Sequence, residues 1–136
     1  MVKMIVTGSR DFNYLSYMFK VLDGILMKYK KDISIISAGR RGAETRGECY
    51  ARANRYSLIK IRPDFKTLGA DALLVANKEM VDMATHCICF INKHDPEMEL
   101  LLKMCEEKKV KTKRVFYDKI VDWIDVDKLQ FTYDEI

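Results

Sequence analysis

The chain has 136 residues, 49% of them hydrophobic and 32% charged, which suits one domain with a real core and is too short for two domains of ordinary size. Its apolar runs are about six residues or fewer against the roughly 20 needed to cross a bilayer, so no membrane helix is expected. The net charge of +4 is compatible with anionic ligands without choosing among partners.

A single lysine precedes the first apolar run, and Gly8-Ser9-Arg10 follows with no cleavage-like site, so no secretory signal and a cytoplasmic location are expected. Cys49, Cys87, Cys89 and Cys105 fall inside regular elements without C-x-x-C spacing, and His86 and His94 form no ligand pattern with them. They read as reduced core thiols, and neither a metal site nor a cofactor is expected.

Residues 4–7 are a β-branched run ending at Gly8, and Leu15, Met18, Phe19, Leu22, Ile25, Leu26 and Tyr29 follow at helical spacing. Residues 33–37 give a second strand stopped by Gly39 and Gly42, after which Ala43, Gly47, Tyr50, Ala51 and Asn54 mark a helix face. A third strand over 58–61 ends before Pro63, which cannot donate to a ladder and disfavours helix in the residue before it. Residues 65–69 read as a loop, and 70–84 as a helix through Leu73, Val75, Asn77, Met80, Val81 and Ala84.

Residues 87–91 are continuously apolar, as in a strand buried on both faces. Asp95-Pro96 reads as a helix cap followed by proline at the first helical position, opening a helix over 97–108 with Leu101, Leu102 and Cys105 inward. Residues 115–117 make the fifth strand. Short strands alternating with helices, with no tight hairpin signal, predict an α/β, doubly wound, mainly parallel five-stranded sheet with helices on both faces. The basic clusters 28–31 and 108–114 each fall between a helix and the next strand and read as solvated helix ends rather than a nucleic-acid patch. Residues 1–117 are expected to form the domain, and 118–136, with Trp123, Leu129 and Phe131, a C-terminal extension packed on it or on a partner chain. That apolar tail favours a homo-oligomer.

In open parallel sheets ligands bind at the carboxyl ends of strands, where helix N-termini present free N–H groups. Two loops fit that position: Thr7-Gly8-Ser9-Arg10-Asp11 after the first strand, and Ser37-Ala38-Gly39-Arg40-Arg41-Gly42-Ala43-Glu44-Thr45 after the second. Each combines glycine, which permits close backbone approach, with arginine, which grips phosphate by paired hydrogen bonds. Neither is a P-loop or a dinucleotide fingerprint.

These residues, together with Glu48, Tyr50 and Ala51, then Pro63-Asp64-Phe65 with Gly69, Asn77, Glu79 and Met80, resemble the YspA-related branch (DUF2493-like) of the SLOG superfamily over about residues 2 to 117. The resemblance implies a Rossmann-like sheet with a nucleotide-derived ligand across its strand ends. Gly8, Ser9 and Arg10 would line one side, Gly39, Arg41 and Gly42 the phosphate side, with Arg40 adding charge and Glu44 and Asn77 nearby. Three departures stand out. The stretch 92–99 lacks the Gly-Thr usual in relatives, Ala76 replaces an arginine, and Glu44 stands where relatives tend to carry aspartate.

The expected function is capture of a nucleotide, an ADP-ribose derivative or a nucleotide second messenger, as a sensor or a sequestering sponge. A sponge would suit a small virus-encoded domain. One alternative is an N-glycosidase or phosphoribohydrolase acting on nucleotide monophosphates through Glu48, Glu79 or Glu97. The other is single-stranded DNA binding through Arg40, Arg46, Arg52 and Arg55, the less favoured partner.

Overall fold

The computed structural model describes residues 1–29, 32–92 and 95–117. Five strands, β1 (Val2–Gly8), β2 (Ile33–Ser37), β3 (Ser57–Lys60), β4 (His86–Ile91) and β5 (Lys111–Phe116), alternate with helices. The main helices are α1 (Leu15–Leu26), α2 (Ala43–Ala53), α4 (Ala72–Met83) and α5 (Pro96–Glu107). Between β3 and α4 lie a four-residue helix α3 (Phe65–Leu68) and a 3-10 turn, Gly69–Asp71.

The sheet order is β3-β2-β1-β4-β5 and every pair is parallel, as the alternation of elements predicts. The chain winds outward from β1 through β2 to β3, then returns to the other side of β1 as β4. β1 and β4 therefore flank the topological switch point, in register from Met4 opposite His86 to Gly8 opposite Phe90.

Side chains alternate across each strand and divide the core in two. Met4, Val6, Ile35, Ile88 and Phe90 pack with Met18, Leu22 and Tyr50 of α1 and α2. Ile5, Ile36, Cys87, Cys89 and Ile91 pack with Met80, Leu101, Leu102 and Cys105 of α4 and α5. All six residues of β4 are buried, which accounts for its unbroken apolar run.

Four expectations are corrected. Residues 65–68 are helical: Asp64 caps Thr67 N–H at 3.1 Å, but Phe65 and Leu68 are exposed, so no buried stripe marks the turn. β5 begins at Lys111, so four residues of the second basic cluster lie in a strand rather than at a helix end; charge on a sheet edge discourages further strand pairing. Cys49 is exposed, unlike the buried Cys87, Cys89 and Cys105. Asn54 is exposed too, and ends α2 rather than marking its buried face. The tail expected to pack as an extension, 118–136, lies outside the described residues, as do 30–31 of the first basic cluster. Among the described residues no helix is long and apolar enough to cross a membrane.

Candidate functional site

The β1–α1 and β2–α2 loops meet at the carboxyl ends of their strands. A Cβ on Gly42, which has φ +94°, would lie 2.5 Å from the Ser9 carbonyl oxygen, and one on Gly8 would lie 2.1 Å from that of Phe90. These glycines therefore let the loops pack on each other and on β4, and protein already fills the space each leaves. Gly39 lies beneath the guanidinium of Arg62, the first arginine after β3.

Glu44 organises the second loop. It is fully buried, and Ala38 N–H and Arg40 N–H donate to its Oε1 at 3.1 and 3.0 Å. Thr7 Oγ1 and Arg40 Nη1 donate to Oε2 at 2.7 and 2.6 Å. Four donors saturate a carboxylate, so Glu44 shapes the loop and has no capacity left for a ligand.

The same contacts bury Arg40, whose side chain is only 3% exposed. Its Nη2 donates to Asn77 Oδ1 on α4. Its Nε lies 3.0 Å from Glu97 Oε1 yet makes no hydrogen bond: the two are an ion pair, with the oxygen off the line of the N–H. Arg10, half exposed, reaches the same oxygen through Nη2 at 3.2 Å. Arg41 is exposed, with no side-chain partner among the described residues.

Across the switch point the β1–α1 loop is stitched to the start of α5. Ser9 Oγ donates to Asp95 Oδ2 and accepts from Asn92 N–H at 2.9 Å, while Asn92 Nδ2 donates to Asp11 Oδ2 at 2.9 Å. Asp95 Oδ1 caps α5 by accepting from Met98 N–H, and Pro96 takes the first helical position, as the sequence predicts. Tyr117 donates to Asp11; burial and then that hydrogen bond push the phenol pKa up. Phe12 is buried between Phe90 and Tyr117, each ring centroid 5.0 Å away, and anchors the loop.

The remaining acids have structural surroundings. Burial would raise the pKa of Glu48, but hydrogen bonds from Arg62 and Ser37 and the charges of Arg62 and Arg52 outweigh it and hold the carboxyl below its ordinary value. Glu79 is exposed on α4, and Met80 is a core residue. The structure thus gathers Gly8, Ser9, Arg10, Arg40, Gly42, Glu44 and Asn77 around the two loops, leaves Arg41 at the rim, and sets Gly39 under Arg62. Arg62, Asp95 and Glu97 belong to this region and were not among the expected ligand-binding residues. A cavity of about 370 Å³ opens elsewhere, at the amino ends of β2 and β3, lined by Asp32, Ile33, Ser34, Asn54, Arg55, Tyr56 and Ser57. It contains one arginine and neither glycine loop, so the chemistry favours the carboxyl ends.

An all-parallel sheet in this order, covered by helices on both faces, defines a Rossmann-like α/β protein. Residues 2–67, just under half of the chain, match the model of the YAcAr family, the YspA, cpYpsA-related SLOG family. The match contains both glycine-arginine loops and ends within α3, short of Asn77 and of the β4–α5 loop. Comparison with the curated proteins and with the solved structures gave no match. A match to this family is compatible with a nucleotide-related function.

Proposed function

We propose that the chain binds a nucleotide-derived anion at the carboxyl ends of β1 and β2, holding its phosphate between Arg10 and Arg40, as a sensor or sequestering sponge without turnover. One observation carries the reading: two arginines from separate loops converge on a single oxygen, Glu97 Oε1, at 3.2 and 3.0 Å. Two guanidinium groups brought this close to one oxygen concentrate positive charge at a position suited to an oxyanion. The rest of Arg40 is fixed by Glu44 and Asn77, so this donor is preorganised and costs little to order on binding.

The carboxylates favour binding over N-glycosidic cleavage. Glu48 is tied to Ser37, Arg52 and Arg62, Glu79 is exposed on α4, and Glu97 is paired with two arginines. A DNA-binding strip is also broken up: Arg40 is buried, Arg46 contacts Asn13, Arg52 pairs with Glu48, and Arg55 lies at the opposite end of β3. Equilibrium dialysis against a nucleotide panel, with chromatography of the retained fraction, tests the proposal. Intact nucleotide held without free base is the expected result, and accumulation of free base would replace it with the N-glycosidase reading.

A further inference from the structure

We propose that the Glu97 carboxylate is an internal stand-in for the ligand's oxyanion, displaced from Arg10 and Arg40 when the ligand binds. The inference rests on the anion-binding reading above and adds how that site is regulated.

Three features of Glu97 and Arg40 carry it. Arg40 Nη1 and Nη2 each donate, to Glu44 and Asn77, so Nε is its one side-chain nitrogen without a hydrogen bond. That Nε is a buried atom without a hydrogen bond, although Glu97 Oε1 lies only 3.0 Å away. A buried donor so placed is costly to leave unsatisfied, and an oxygen able to move onto the N–H line would remove that cost. Glu97 itself is one-third exposed, whereas Arg40 is nearly inaccessible, so the carboxylate is the partner with room to leave.

The tether explains the imperfect fit. Glu97 is the second residue of α5, and the helix start is fixed by the Asp95 cap and Pro96, which limits the directions from which the carboxylate can approach. A ligand phosphate has no such tether. One of its oxygens can align with Arg40 Nε–H while another meets Arg10. Glu97 then turns toward solvent, where it keeps its favourable position beside the helix N-terminus.

A tethered competitor lowers the apparent affinity for every oxyanion by one common factor, set by the fraction of time the arginines are unoccupied. Removing the competing charge should therefore tighten binding of inorganic phosphate and of a nucleotide phosphate alike.

The experiment titrates wild-type protein, Glu97→Gln and Glu97→Ala with inorganic phosphate and with adenosine 5′-monophosphate. Affinity is read by calorimetry, and the Arg40 Nε–Hε resonance by NMR. Both variants are expected to bind each probe about tenfold more tightly than wild type, with the Arg40 signal shifting on phosphate addition. Unchanged or weaker binding in both variants would overturn the stand-in role. If phosphate binding in that case still falls in Arg10→Gln, the anion site itself stands. Absence of binding and of any Arg40 shift in all proteins would overturn both proposals.

Discussion

The Ser9 hydroxyl donates to Asp95 across the topological switch point, joining the loop after β1 to the residue that caps α5. The same oxygen accepts the amide of Asn92, so one small side chain holds both walls of the crevice where an open parallel sheet places its ligand. Ser9→Ala removes the donor to Asp95 and leaves the Asn92 amide without that partner. Urea unfolding should show a loss of about 1–2 kcal/mol at unchanged slope. No measurable loss would mean that water replaces the hydroxyl fully.

Glu44 gives a larger effect. A glutamine there keeps the shape but supplies an N–H₂ where the carboxylate meets two donors, and it leaves the buried Arg40 charge with only the off-line Glu97 beside it. The expected destabilisation is about 3–5 kcal/mol, as for breaking a buried ion pair from one side. A loss below about 1 kcal/mol would show that the loop does not depend on this carboxylate.

His86 makes stability depend on pH. Burial, then the charges of Lys111 and Lys28, hold its pKa below the ordinary value of 6.5, while Tyr29 and Thr85 contact the two ring nitrogens. The folded state therefore binds fewer protons than the unfolded chain in the window just below 6.5. The sign follows: this contribution is present above pH 6.5 and is lost as pH falls from there toward the depressed folded pKa. The melting temperature should drop between pH 7.5 and 5.5, and His86→Gln should flatten that slope; an equal slope in the variant would place the titration elsewhere.

The sheet was legible because its causes are local. Period-two and continuous apolar runs, glycine stops and Asp95-Pro96 each act within a few residues, and they predict the observed strands and the α5 start. The apolar pattern marks only the end of β5, because its first four residues, Lys111 to Arg114, are polar or charged and belong to an edge strand, where pattern reflects solvent rather than core. At the site, the pairing of arginine with glycine pointed to both loops. It could not distinguish Arg40, buried by Glu44 and Asn77, from Arg41, left exposed one residue later. Glu97 and Arg62 reach the loops from distant parts of the chain, so only the folded arrangement brings them to Arg10, Arg40 and Gly39.

The convergence of Arg10 and Arg40 is tested most directly by calorimetric titration of wild type and Arg10→Gln with a panel of nucleoside phosphates. The half-exposed Arg10 can be replaced with little expected cost to the fold, so loss of binding would report on the site. At least one nucleotide should bind wild type and weaken about tenfold or more in the variant, as expected for loss of a charge-assisted contact. Equal affinity in the two proteins would contradict the assignment of the anion to this pair of arginines.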